Sequence, residues 1–140
     1  MALLEQLDFL YMPSRDVEAD LAFYTAMLGG DVVFAIEAFG ARVARIKLGE
    51  DHPALLLADH LEGEAPVLVH RVADFDAALS ELERRGLTVE AQFGIPHGPC
   101  AELRTPGGQR LAVYELTRPG ADRHLAGRHD FGPGAINTDA

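Results

Sequence analysis

Two segments of the chain carry apolar residues at intervals of three or four, the spacing of an amphipathic helix. Each segment follows an Asp, at Asp16 and Asp74, whose carboxylate can accept hydrogen bonds from the free N–H groups of a first helical turn. Each also ends in glycine, at Gly29-Gly30 and at Gly86, which tolerates the left-handed conformation that closes many helices. The pattern therefore predicts one helix after each Asp. The apolar positions are Val17, Leu21, Tyr24 and Leu28 in the first helix and Phe75, Ala78, Leu79 and Leu82 in the second.

Extended segments surround both predicted helices and are separated by turn signals rich in Gly and Pro. One precedes each helix, within residues 7–16 and 65–74. Three follow each helix, at 31–36, 41–48 and 54–59 in the first half and at 87–93, 100–105 and 110–116 in the second. A shift of 58 residues places Asp16 on Asp74 and aligns the preceding segments without a gap. The sequence therefore predicts an α+β fold of two strand–helix–strand–strand–strand (βαβββ) modules.

Composition narrows the class of protein. The chain has 140 residues, of which 48% are hydrophobic, and this suits a single compact domain. With 12 Lys and Arg against 22 Asp and Glu, the formal net charge is -10, which disfavours nucleic acids and anionic membranes as partners. The single cysteine, Cys100, cannot form an intrachain disulfide, and we expect an inert thiol. The apolar runs are too short for a membrane helix and the first residues lack the pattern of a signal peptide, so we expect a cytoplasmic protein.

The repeat and its landmark residues resemble the vicinal oxygen chelate superfamily, which includes glyoxalase I, bleomycin-resistance proteins and extradiol dioxygenases. The resemblance covers about residues 5–116. It rests on segments 7–9, 16–24 and 28–29 in the first module and on segments 72–79, 97–98 and 105–115 together with Gly86 in the second.

This resemblance implies the glyoxalase/bleomycin-resistance fold, in which two modules form a curved mixed sheet around one cavity, often in a homodimer. We expect a single domain over residues 1–118, with modules at about 5–60 and 65–117. Residues 119–140 lack periodicity and are expected to form an irregular C-terminal tail, either docked on a partner subunit or disordered.

The resemblance also implies four positions for His, Gln or Glu ligands of a divalent metal, in the first and last strand of each module. In this sequence they fall at Phe9, Leu56, Val67 and Ala112, none of which can bind a metal. The immediate neighbours are also apolar, except Asp8, and a lone carboxylate makes a poor site. We therefore predict no metal site and no cofactor.

Alternation of side chains along strands predicts which residues face the cavity. If Phe9 points inward, the cavity is mainly apolar and aromatic, with one guanidinium and two phenols, which suits a flat organic molecule that carries a carboxylate, carbonyl or phenol. His97 is placed by the resemblance on a loop over the cavity mouth, although it could equally be a turn residue that faces water. The predicted ligand-binding residues are Phe9, Tyr11, Val67, Val69, Arg71, His97, Ala112 and Tyr114.

Three functions remain open at this stage. The first is a protein that binds a small hydrophobic or aromatic molecule without a metal, as the bleomycin-resistance branch does by sequestration. The second is a metal-dependent lyase, isomerase or dioxygenase with displaced ligands, although alternation places the nearest candidates, His70 and Glu115, on the opposite face of the sheet. The third is an interaction module whose cavity is filled by its own side chains. If the chain is an enzyme without a metal, the acid–base candidates are His97, Tyr11 and Tyr114.

Overall fold

The computed structural model describes residues 3–38, 40–49 and 52–133, which form an eight-stranded sheet with helices packed against it. The first module contains β1 (Gln6–Pro13), α1 (Val17–Ala26), β2 (Asp31–Ala38), β3 (Ala41–Lys47) and β4 (Ala54–Ala58). The second contains β5 (Val67–Val72), α2 (Phe75–Arg84), β6 (Ala91–Ile95), β7 (Gly98–Arg104) and β8 (Arg110–Glu115). A short helix, α3 (Ala121–Leu125), follows. The predicted α+β fold of two βαβββ modules is confirmed.

Both long helices begin where the sequence predicts. The Asp16 and Asp74 carboxylates accept hydrogen bonds from the third backbone N–H of α1 and α2, each at 3.0 Å. The first N–H of α2, on Phe75, also donates to the Glu115 carboxylate at 2.8 Å. The Glu115 side chain therefore caps the N-terminus of α2. No helix among the described residues is long and apolar enough to cross a membrane.

The strand order is β2-β3-β4-β1-β5-β8-β7-β6, so the two modules meet at the centre of the sheet through β1 and β5. These two strands run antiparallel, with Phe9 opposite Val69 and Tyr11 opposite Val67. Each central strand is also parallel to the last strand of its own module. Equivalent positions of the two modules therefore lie side by side on one face.

The sheet is apolar on both faces. On the convex face, α1 and α2 each bury a cluster of apolar residues against their own module. The concave face holds a third cluster that draws on both modules. Its buried members are Phe9, Phe34, Ala54, Leu56, Val67, Val69, Cys100, Ala112 and Tyr114.

The β6–β7 hairpin differs from the prediction. The strand predicted at 87–93 is Ala91–Ile95, and the turn predicted over residues 94–98 is reduced to Pro96 and His97, because Ile95 pairs with Gly98. The close approach at Gly98 requires glycine, since an added Cβ would lie 2.0 Å from the Glu115 carbonyl oxygen. The hairpin tip can therefore rest directly on the end of β8.

The first part of the C-terminal tail is ordered on its own chain. Gly127 N–H donates to Val33 O at 2.9 Å, and Ala35 N–H donates to Arg128 O at 2.7 Å. Phe131 is buried in the cluster beneath α1. The tail thus provides hydrogen-bond partners for backbone groups along the outer edge of β2, which would otherwise be unpaired. The described part of the tail includes the helix α3 and packs on this chain; residues 134–140 lie outside the described residues.

Candidate functional site

A cavity of about 280 Å³ lies on the concave face of the sheet, and we call it the main cavity. Its floor comes from central strands of both modules, at Leu56, Val67, Val69 and Ala112. The β6–β7 hairpin and Leu125 of α3 contribute further walls. This volume lies close to the lower end of the range for small-molecule sites. The concave face is therefore not filled by its own side chains, which argues against the third hypothesis.

A second pocket of about 80 Å³ adjoins the main cavity, and we call it the polar pocket. His97 lines both spaces, whereas Phe9 lines only the polar pocket. The Phe9 and His97 ring centroids are 4.8 Å apart. The two spaces therefore share His97 as a wall, and Phe9 packs against it on the side of the polar pocket. The lining of the polar pocket is Asp8, Phe9, Arg45, His52, Arg71, His97, Tyr114, Leu116 and Pro119.

The structure brings all eight predicted ligand-binding residues to the concave face, but it divides them between these two spaces. Arg71 and Tyr114 line the polar pocket and are not among the residues that line the main cavity. The residues of the predicted set that line the main cavity are Tyr11, Val67, Val69, His97 and Ala112. Those that line the polar pocket are Phe9, Arg71, His97 and Tyr114.

Asp8 is a buried polar residue that strand alternation places on the wrong face. The register of β1 against β5 shifts between Leu7 and Phe9, which is a β-bulge, and both Asp8 and Phe9 are buried. The Asp8 carboxylate accepts hydrogen bonds from the Tyr114 hydroxyl and, at 2.7 Å, from Gln6 Nε2. Arg71 Nε lies 3.8 Å from the same carboxylate. The only sequence signal was a lone carboxylate within an apolar strand.

His97 lies at the tip of the β6–β7 hairpin and is only 5% exposed, so the alternative that it faces water is wrong. Its backbone carbonyl accepts hydrogen bonds from Thr117 N–H and Arg118 N–H, each at 3.0 Å. The Arg118 guanidinium also donates to the carbonyls of Pro96 and Ile95 at 2.8 and 2.7 Å. These bonds hold the hairpin tip against the segment after β8, which places the imidazole between the two spaces.

The main cavity also has a polar wall that the sequence reasoning missed. Arg110 Nε lies 3.2 Å from a Glu102 carboxylate oxygen, and both side chains line the cavity. Arg110 Nη1 donates to the carbonyls of Glu62 and Ala65, in the connection between the modules. This guanidinium therefore fixes the connection across the end of the second module. The pair occupies neighbouring strands β7 and β8, and only strand pairing reveals it.

Three other titratable residues have structural surroundings. Cys100 is 2% exposed, and burial raises the pKa of its thiol from 9.0 to about 12, which keeps it protonated and unreactive. His70 lies beside Val113, which belongs to the cluster under α2, so it occupies the convex face as predicted. Burial lowers the pKa of His70, and the nearby charge of Asp8 acts in the opposite direction. Glu115 caps α2 and is also remote from the cavity floor.

The residues at the implied metal positions do not fit a metal ion. Phe9, Leu56, Val67 and Ala112 lie together in the concave cluster, so the structure assembles the four positions that the resemblance implies. All four side chains are hydrocarbon and have no lone pair to donate. Among residues 3–38, 40–49 and 52–133, no group of three or more His, Cys, Asp or Glu side chains is placed to hold a metal.

Comparison with known proteins gives a consistent picture. The model of the glyoxalase/bleomycin resistance protein/dioxygenase superfamily matches residues 6–113. Among solved structures, the chain is similar to methylmalonyl-CoA epimerase from Mycobacterium tuberculosis, with 19% identity, a TM-score of 0.69 and coverage of 84% of this chain and 91% of the other. The search of curated proteins gives no significant match.

Two further structures are similar in fold. A hypothetical protein from Bacillus halodurans has 16% identity and a TM-score of 0.68, with 81% of this chain and 95% of the other covered. A variant of Streptomyces coelicolor methylmalonyl-CoA epimerase in complex with 2-nitronate-propionyl-CoA has 19% identity and a TM-score of 0.65, with coverage of 82% and 99%. At these identities the likeness shows the fold alone.

Proposed function

This chain belongs to the glyoxalase/bleomycin resistance protein/dioxygenase superfamily, and from that premise we propose that it binds a small hydrophobic or aromatic molecule without a metal ion. The observation that carries the proposal is the floor of the main cavity. At Leu56, Val67 and Ala112, where the family resemblance implies metal ligands, the cavity presents hydrocarbon to its contents. A surface of this kind favours an apolar molecule over a hydrated ion.

The volume of the main cavity limits the size of the molecule that can bind. A dry apolar cavity of about 150 Å³ can hold benzene, so about 280 Å³ has room for roughly two fused rings. A ring system that buries about 200 Å² of apolar surface gains about 5 kcal/mol, which corresponds to a dissociation constant of about 0.2 mM. Polar contacts to the molecule would tighten that affinity.

The polar groups on the cavity wall suit a carbonyl or phenol on the bound molecule. Tyr11 and His97 both line the main cavity, and each can donate or accept a hydrogen bond. They would orient the molecule while the apolar floor supplies the affinity. The proposed role is sequestration; if the protein also catalyses a reaction, the acid–base candidates remain His97, Tyr11 and Tyr114.

The test is an isothermal titration calorimetry experiment in which the protein is titrated with 3-(2-naphthyl)propionamide, a neutral two-ring probe. We expect one site per chain in the wild type. Ala112→Phe places a ring inside the main cavity and should weaken binding at least tenfold, whereas Ala22→Phe places the same ring on the exposed face of α1 and should not. Absence of binding to the wild type, or equal affinities for all three proteins, would refute the proposal.

The assembly and location of the protein are also proposals. We propose a homodimer in the cytoplasm, with a small molecule as the partner and neither nucleic acid nor membrane. Light scattering coupled to size-exclusion chromatography would give about twice the chain mass of 15.1 kDa for a dimer. A mass of one chain at micromolar concentration would contradict it.

A further inference from the structure

The polar pocket concentrates positive charge in a protein whose formal net charge is -10. Arg45 and Arg71 both line it, and His52 and His97 complete the same wall. The acidic residue in the lining, Asp8, is occupied by the Tyr114 hydroxyl and by Gln6 Nε2. Among the described residues, two guanidinium groups and one carboxylate line this space, and the carboxylate has hydrogen bonds of its own.

Arg71 has an unused donor at this place. Its Nε is buried but makes no hydrogen bond within the described part of the chain. The nearest acidic oxygens, from Asp8 and Glu5, lie at 3.8 and 4.0 Å, beyond hydrogen-bond distance. A buried donor of this kind requires an acceptor, which is either water or a bound ligand. The pocket therefore has both the charge and an available N–H to receive an oxyanion.

The size and position of the pocket indicate which oxyanion it receives. A volume of about 80 Å³ admits a carboxylate group but no ring system. The pocket shares His97 with the main cavity, and the Phe9 ring packs against His97 at a centroid distance of 4.8 Å. His97 lines both spaces, so its side chain lies at the boundary that a ligand occupying both spaces would cross.

We propose that the polar pocket is the carboxylate subsite of the same ligand whose apolar body occupies the main cavity. This inference rests on the proposed function and deepens it, because it specifies an aromatic or aliphatic carboxylic acid in place of a neutral hydrocarbon. Arg71 and Arg45 bind the carboxylate, and Asp8 positions Arg71. The Phe9 and His97 rings flank the carbon chain that connects the two parts.

The experiment compares two probes of the same shape, 3-(2-naphthyl)propionate and its neutral amide. We expect the wild type to bind the carboxylate at least about tenfold more tightly than the amide, because hydrogen bonds to a charged acceptor are roughly twice as strong as those to a neutral one. Arg71→Met should bring this affinity ratio to within about threefold of one. The Arg45→Met substitution should also lower the affinity ratio. This variant tests the proposal independently if Arg71→Met does not fold.

A matched control separates local from global charge effects. Arg15→Met removes the same charge from a side chain that is 88% exposed, and it should leave the affinity ratio unchanged. Amide binding without a preference for the carboxylate would overturn this inference and leave the proposed function intact. A ratio that is unchanged in both Arg45→Met and Arg71→Met would also overturn it. Failure of the wild type to bind either probe would refute both proposals.

Discussion

A single methyl group at Gly98 should disrupt the hairpin tip that carries His97. An added Cβ would lie 2.0 Å from the Glu115 carbonyl oxygen and 2.9 Å from Thr117 Oγ1, well inside normal contact distances. The oxygen belongs to the backbone, so it cannot be relieved by rotation of a side chain. The Gly98→Ala variant must therefore separate β7 from the end of β8 by about 1 Å.

The expected loss of stability in Gly98→Ala comes from steric strain and from weakened hydrogen bonds at the hairpin tip. Overpacking of a tight site costs about 1–3 kcal/mol. The two backbone hydrogen bonds to the His97 carbonyl, each 3.0 Å long, would be weakened or lost, at about 0.5–1.5 kcal/mol each. We expect Gly98→Ala to lower the free energy of unfolding by about 2–6 kcal/mol.

Urea denaturation followed by far-UV circular dichroism measures this difference, since the chain contains no Trp for fluorescence. The matched control is Gly94→Ala on the same hairpin, where an added Cβ meets no atom within 4 Å. Alanine is favoured over glycine in a strand by about 0.5–1 kcal/mol, so the control should be neutral or slightly stabilised. If the two variants differ by less than about 1 kcal/mol, the close approach does not constrain the hairpin tip as we argue.

Other predictions concern buried groups and metal content. Tyr114→Phe removes a hydrogen-bond donor from the buried Asp8 carboxylate and should destabilise the protein by about 1.5–3 kcal/mol in urea, whereas Tyr24→Phe, at a half-buried site, should cost less than about 0.5 kcal/mol. Equal destabilisation by the two substitutions would contradict a stabilising role for the hydrogen bond between Tyr114 and Asp8. Because burial raises the pKa of Cys100 from 9.0 to about 12, Ellman's reagent at pH 8 should label only urea-unfolded protein. Above about pH 9 the unfolded thiol loses its proton first, so this contribution to stability should decline as the pH rises toward 12; rapid labelling of the native protein would contradict both statements. Untagged protein exposed to Ni, Zn, Mn and Fe(II) should retain far less than one metal ion per chain by elemental analysis, and about one ion per chain would support the metal-dependent alternative.

Local patterns in the sequence predicted the modules because the interactions that form them are local. The caps at Asp16 and Asp74 involve an N–H three residues away, and helical periodicity is visible within a few turns. The apolar character of the concave face was also predictable, since alternation placed Val67, Val69 and Ala112 correctly. The irregularity in the pairing of β1 with β5 lies on the β1 side, so these positions keep their alternation.

Alternation failed at Asp8, where a bulge moves one side chain to the other face. The bulge carries no local signature in this sequence. Its effect appears through the hydrogen bond from the Tyr114 hydroxyl, which joins residues 106 positions apart. The docking of the tail was unpredictable for a related reason, because its partner is the edge of β2 and the pairing of Ala35 with His129 joins residues 94 positions apart.

The sequence by itself determined the repeat, the α+β fold, the family and the hydrocarbon character of the four positions where that family's resemblance implies metal ligands. The elements of the fold follow from residue identity and from periods of two to four residues, whereas the family follows from the resemblance of the landmark residues. Only the tertiary structure decided how the concave face is divided. The placement of His97 against Phe9 depends on hydrogen bonds from Thr117 and Arg118 to the hairpin tip, and such contacts between distant segments leave no periodic trace in the sequence. Whether the inward-facing residues form one cavity or two is therefore a property of the assembled sheet.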